Sequence, residues 1–247
     1  MPDLVLLRHG QSTWNAEGLF TGWVDVDLTP QGEDEARQAG ALLLAEQDRG
    51  LDLTVLHTSV LTRAVRTANL ALDVLGRSWI PVRRHWRLNE RHYGALQGKN
   101  KKDTTAESGI DQVNIWRRSY STRPPAIDPA HHPVHDRRYS DVPASALPAS
   151  ECLADVFSRM VPYWEDVIVP DLRSRSGVLV VAHGNSLRAL AKYLLALSDE
   201  EIVGLEIPTG VPWWFSLSDD LSVLEEKLLG DPEAIKAAKE ATAHQAG

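Results

Sequence analysis

DLVLLRHG, residues 3–10, is the stretch on which the fold turns. Leu4 to Leu7 are all apolar, and the run stops abruptly at Arg8-His9-Gly10. A strand with one face in water alternates apolar and polar residues, whereas a parallel strand covered on both faces is apolar throughout. The spacing therefore predicts a buried parallel strand over 3–8 that delivers His9 at its carboxyl end. GVLVVA at 177–182 reads the same way and runs straight into His183-Gly184. In an open parallel sheet the carboxyl ends of neighbouring strands meet at one crevice, so these two distant histidines are expected to face each other.

Working outward, Thr29 is an N-cap with Pro30 at the first helical position, and the Ala-, Leu- and Glu-rich segment that follows predicts a helix through Glu46. LTVLHTS at 53–59 predicts a second buried strand, and Val60, Ala64, Ala68, Ala71 and Leu75 recur at helical spacing after it. HGNSLRALAKYLLAL, from His183, predicts another helix, and Ser198 with Glu201 forms a capping box for one more. Strands alternating with helices define an α/β fold, with a mainly parallel sheet flanked by helices on both faces. Residues 99–150 are rich in proline, charge and histidine with weak periodicity, which fits an excursion over an active site within one domain of 1–247. The tail at 231–247 reads as a frayed, flexible terminus.

A chain of 247 residues with 43% hydrophobic composition can bury one substantial core. Its formal charge of −8 argues against a nucleic-acid surface, and no apolar stretch is long enough for a membrane span. No signal-peptide pattern opens the sequence, so a soluble cytoplasmic protein is expected. Cys152 is the only cysteine, which excludes an internal disulfide and a cysteine-built zinc site. Arg8, Arg63, Arg91, Arg117 and Arg118 nevertheless sit in or beside distinctive motifs, as a local site for a small anion requires.

Histidine can be nucleophile, base, ligand or core residue. Around His9 the neighbours Arg8, Ser12 and Asn15 supply donors, and Gly10 is expected to let backbone approach a ligand closely. The result is an oxyanion cradle around an imidazole. Arg63 follows the second predicted strand and adds a planar donor fork to the same crevice.

LLRHGQSTWN at 6–15 resembles the Arg-His-Gly signature of the histidine phosphatase, or phosphoglycerate mutase-like, superfamily. FTGWVDVDLT at 20–29, TSVLTRA at 58–64, LNERHYGALQG at 88–98, WRR at 116–118, HGNSLRAL at 183–190 and IPTGVP at 207–212 narrow the resemblance to the cofactor-dependent phosphoglycerate mutases over nearly the whole chain. The resemblance implies a phosphoglycerate mutase-like fold. It also implies that His9 carries the phosphoryl group, that Glu90 donates and accepts the proton, and that Arg8, Arg63 and His183 stabilise the transferring group. Gln11, Ser12, Asn15, Thr21, Gly22, Arg91, His92, Tyr93, Lys101, Arg117, Arg118, Gly184 and Asn185 would join them in binding substrate. The implied reaction is the glycolytic and gluconeogenic interconversion of 2-phosphoglycerate and 3-phosphoglycerate, primed by 2,3-bisphosphoglycerate and independent of metal. The family commonly forms dimers or tetramers, which implies a homo-oligomer.

Several features depart from that pattern. Gln11 stands where many members have glutamate, and Lys99 replaces a common apolar residue. HHPVH at 131–135 allows a metal site, although it lacks helical pairing and a nearby acidic ligand, and a polar loop is the simpler reading. Trp213 and Trp214 are adjacent on an expected strand, so one is predicted to be exposed or at an interface. A broad phosphatase and a non-catalytic phospholigand-binding protein are the competing readings.

Overall fold

The computed structural model describes residues 1–174 and 177–244. The chain runs through β1 (Asp3–Arg8), α1 (Thr13–Ala16), α2 (Pro30–Gln47), β2 (Val55–Thr58), α3 (Thr62–Leu75) and β3 (Val82–Arg84). It continues through α4 (Lys101–Ser108), α5 (Ile110–Arg118), α6 (Leu153–Tyr163) and α7 (Val169–Ser174). The last part holds β4 (Gly177–Ala182), α8 (Gly184–Leu194), α9 (Glu201–Gly204), β5 (Pro212–Leu217), β6 (Val223–Leu228) and α10 (Pro232–His244). The strands form one sheet in the order β3-β2-β4-β1-β5-β6. β1 to β4 are mutually parallel, whereas β5 and β6 extend the sheet antiparallel.

Side chains of β1 divide between the two faces with period two, as the pleat requires. Leu4 and Leu6 join Val178 and Val180 of β4 beneath Val156 and Met160 of α6 and Leu187 and Leu190 of α8. Val5 and Leu7 join Leu179 and Val181 against Ala39 and Leu43 of α2 and Ala68, Ala71 and Leu72 of α3. Each fully buried Leu or Val contributes roughly 1.5–3 kcal/mol of apolar burial, which is why the predicted unbroken apolar runs become central strands.

β1 and β4 pair from Asp3 against Gly177 to Arg8 against Ala182, and His9 N–H extends the ladder to Ala182 O at 3.0 Å. Both strands therefore end at the same level. β2 reaches that level from the other side of β4, with Thr58 against Val181, so Ser59 follows there. Three adjacent strand ends thus present Ser59, His183 and His9.

Elsewhere the structure refines the sequence reading. The excursion contains two regular helices, α4 and α5, followed by short 3-10 turns that include the HHPVH segment. The tail expected to fray from Asp231 is helical over Pro232–His244, and Thr242 is buried; residues 245–247 lie outside the described residues. Neither tryptophan of β5 is exposed. Trp213 packs on one face of the sheet and Trp214 on the other, where its indole N–H donates to Asp3 Oδ1 at 2.9 Å. No described helix is long and apolar enough to cross a membrane.

Gly10 proves necessary for a reason other than ligand approach. A Cβ there would lie 2.1 Å from Gly32 O, and a Cβ on Gly32 would lie 2.0 Å from Gln11 O. The loop after β1 and the first turn of α2 therefore touch backbone to backbone. Gly32→Ala separates two effects of opposite sign: helix propensity alone would stabilise by about 1 kcal/mol, whereas the backbone clash costs about 1–3 kcal/mol or more. Urea unfolding is expected to show net destabilisation, and a stabilised variant would contradict this packing.

Candidate active site

His9 Nδ1 lies 2.7 Å from Gly10 O. A carbonyl can only accept, so Nδ1 carries the proton and Nε2 presents its lone pair. Arg63 Nε–H points at that nitrogen from 3.3 Å. The Arg63 guanidinium is fixed by Val24 O at 3.0 Å and Gly22 O at 2.8 Å. Gly22 has φ of +55°, and a Cβ there would stand 2.1 Å from Gln97 Oε1, so this turn demands glycine. Asp25, in the same loop, accepts from Thr62 N–H at 2.7 Å and ties the loop to the start of α3, where Leu61 offers no side-chain cap. The FTGWVDVDLT segment thus becomes a clamp on Arg63.

Burial, followed by the Arg63 and Arg8 charges, holds the His9 imidazole well below its ordinary pKa. His183 is lowered likewise, first by burial and then by Arg63 and His9. The two rings lie edge to face with centroids 4.9 Å apart, close to the spacing of neighbouring strands. Ser59 Oγ is 2.8 Å from His183 Nε2. Burial also lowers Arg63, to about 10, which leaves it cationic at neutral pH. Neutral imidazoles beside fixed guanidiniums suit a nucleophile working on an anion.

Glu90 faces the same cavity, its Oε1 accepting from Arg91 N–H at 2.7 Å and Asn185 N–H at 3.2 Å. The cavity lining is also cationic elsewhere, with Lys101, Arg117, Arg118 and Arg188. Burial is the main cause that pushes Lys101 down to about 8 and Arg188 to about 10. Arg118 pairs with Glu206.

The cavity brings together most residues expected from sequence: Arg8, His9, Asn15, Thr21, Gly22, Arg63, Glu90, Tyr93, Lys101, Arg117, Arg118, Gly184 and Asn185. Four expected binding residues stand behind it. Gln11 turns toward α2, its Oε1 accepting from Thr29 Oγ1 at 2.8 Å. Ser12 caps α1 and braces Asn15, its Oγ accepting from Asn15 N–H at 3.2 Å. Arg91 donates to Arg117 O at 2.7 Å and lies 4.5 Å over the Tyr93 ring. His92 lines a different cavity beside Trp23 and Tyr139, its Nδ1 accepting from Gly94 N–H at 3.0 Å. Sequence reading missed Leu19, Phe20, Arg188, Glu206, Ile207 and Thr242. Only Arg188 left a usable signal, because it follows Asn185 by three residues on α8 and so shares its face. Among the described residues no group of three or more His, Cys, Asp or Glu side chains is placed to hold a metal ion, the 131–135 histidines included.

The family model described as the histidine phosphatase superfamily (branch 1) matches residues 4–138 and 126–220. The chain belongs to that superfamily. Among its relatives in this superfamily, the chain is 57% identical over 250 residues to the 2,3-bisphosphoglycerate-dependent phosphoglycerate mutase of Thermobifida fusca (strain YX), covering 99% of each. Two solved structures share its fold. The mycobacterial glucosyl-3-phosphoglycerate phosphatase superposes with a TM-score of 0.68 at 24% identity, over 92% of this chain and 97% of that one. The alpha-ribazole phosphatase of Shigella flexneri gives 0.67 at 21% identity, over 93% and 96%.

The lowered histidines fix a pH dependence. An unfolded histidine binds a proton below about pH 6.5, whereas His9 and His183 stay neutral in the folded protein, so the unfolded state holds more protons there. Stability should therefore be full above pH 6.5 and fall as pH drops below it, by about 1.4 kcal/mol per unit for each such histidine. Urea unfolding between pH 5.5 and 7.5 should show that slope, reduced by about 1.4 kcal/mol per unit in His9→Gln. An unchanged slope in the variant would remove His9 from the set.

Proposed function

We propose that the protein interconverts 2-phosphoglycerate and 3-phosphoglycerate in glycolysis and gluconeogenesis through a phosphohistidine at His9. The observation that carries the reading is the bare Nε2 of a neutral His9, facing the clamped Arg63 guanidinium with Glu90 in the same cavity. Among the described residues, Arg8 Nε, Thr21 Oγ1 and Arg188 Nε, all on residues that line the cavity, are buried without a hydrogen-bond partner, and Lys101, Arg117 and Arg118 add charge. That donor set fits a small anion bearing phosphoryl and carboxylate groups. 2,3-Bisphosphoglycerate, held by the same residues, supplies the phosphoryl group that first charges His9.

His9 Nε2 attacks phosphorus as the bond to the substrate oxygen breaks, while Nδ1–H stays on Gly10 O. Arg8, Arg63 and His183 balance the negative charge spread over the equatorial oxygens. Glu90 gives its proton to the departing oxygen, and takes one from the hydroxyl that next receives the group. The doubly phosphorylated species forms when the free hydroxyl takes the phosphoryl group and leaves His9 unphosphorylated; Lys101, Arg117 and Arg118 retain it while it turns to present its other phosphoryl group to His9 Nε2.

The further cations of the cavity, Lys101, Arg117 and Arg118, favour a mutase over a phosphatase. The 57% identity to a named mutase supports the same choice. Conversion of 3-phosphoglycerate in the presence of a chelator, with and without 2,3-bisphosphoglycerate and with free phosphate monitored, tests it. Primer-dependent conversion with little phosphate release is expected; release that dominates conversion would transfer the protein to the phosphatases. His9→Ala should abolish phosphoenzyme and turnover while the far-ultraviolet circular dichroism is unchanged, and substantial retained turnover would overturn the mechanism.

A further inference from the structure

Glu90 sits on a stretch without regular secondary structure: a 3-10 turn ends at Leu88, and Asn89 to His92 belong to neither helix nor strand. Backbone carbonyls there have no sheet ladder to fix them, yet Glu90 has to hold its carboxylate at hydrogen-bond reach of a transferring proton. One guanidinium reaches three carbonyls in and beside the stretch. Arg159 of α6 donates through Nη1 to Arg87 O at 2.6 Å, and through Nη2 to Asn89 O at 3.0 Å and Glu90 O at 2.9 Å. Its Nε and Nη2 also meet Glu151 Oε1 at 2.6 Å and Oε2 at 3.0 Å.

Glu151 completes the grip from the other side. Its Oε2 accepts from His92 N–H at 2.8 Å, and its own N–H donates to His92 O at 2.8 Å. Trp23 adds an indole N–H to Glu90 O and lies 5.7 Å beneath the Arg159 guanidinium. Arg159 is 8% exposed and Glu151 3%. A buried ion pair is poor value for stability, since well-packed apolar residues of similar volume do as well or better. The planar fork of arginine, by contrast, can hold several carbonyls in one fixed arrangement.

We propose that the buried Arg159–Glu151 pair is a positioning device for Glu90: it replaces the missing ladder on both sides of the Glu90 peptide and sets where the carboxylate meets the substrate oxygen. Neither residue lines the cavity that holds His9, and the hydrogen bonds that link the pair to that cavity run through the Glu90 peptide. This rests on the proposed role of Glu90 as proton carrier.

A double-mutant cycle on 3-phosphoglycerate turnover tests it, using Arg159→Lys, Glu90→Gln and the combination. Lysine keeps the charge but cannot span the three carbonyls. A displacement of about 1 Å at a reacting group costs on the order of 100-fold. Arg159→Lys should thus lower kcat about 100-fold with KM changed less than about twofold, and should add almost nothing to Glu90→Gln. Because removing one partner strands a buried charge, Glu151→Gln/Arg159→Met, which leaves no unpaired ion, is run through the same cycle, with folding checked by thermal unfolding. Losses that add fully to an impaired Glu90→Gln, or that fall on KM, would overturn the positioning role alone. A Glu90→Gln enzyme as fast as the wild type would instead remove the proton-carrier role, and the positioning role with it.

Discussion

Pairing of β1 with β4 in register, from Asp3 opposite Gly177 to Arg8 opposite Ala182, brings two central strands to an end at one level. Strands in a sheet stand about 4.8 Å apart, and the imidazoles of the residues that follow have centroids 4.9 Å apart. The site needs no special loop to bring His9 to His183; the ladder sets the distance. A slip of one residue would send every side chain of β1 to the opposite face and separate the two histidines. Leu4 to Leu7 are apolar on both faces, so what opposes the slip is the polar boundary of the run: Asp3 and Arg8 flank the buried stretch, and Asp3 is held by the Trp214 indole.

Burial then determines chemistry. Desolvation is the largest cause that lowers both histidines, and the neighbouring guanidiniums act in the same direction. The guanidiniums of Arg63 and Arg8 thus act with burial to keep the His9 ring neutral. Orientation comes from backbone: Gly10 O for His9, and Gly22 O and Val24 O for Arg63. The arrangement is paid for by the apolar core beneath it and by the close backbone contact of Gly10 with Gly32.

The parallel core of the sheet and its two histidines were legible because unbroken apolar runs ending in His-Gly leave few alternatives. Helix α2 was legible for an equally local reason, its Thr29 cap and Pro30 start. What sequence could not supply came from contacts between remote segments. Glu206, Ile207 and Thr242 reach the cavity by tertiary packing, and nothing in an Ala-, Lys- and Glu-rich tail announces Thr242. The Glu90–Arg91–His92 run shows the opposite error. The segment belongs to no strand or helix, and its side chains diverge: Glu90 enters the cavity while Arg91 serves Arg117 O and His92 lines a second cavity. Gln11 and Ser12 were likewise expected at the cradle because they adjoin His9, yet they secure α2 and Asn15.

All of this depends on His9 being a neutral imidazole with its proton on Nδ1. Nitrogen-15 resonances of the histidine rings, followed from pH 5.5 to 8 and assigned through His9→Gln, report that state directly. The account predicts a His9 with Nδ1 protonated and Nε2 bare across the whole range. An imidazolium at pH 6, or a neutral ring protonated at Nε2, would contradict it.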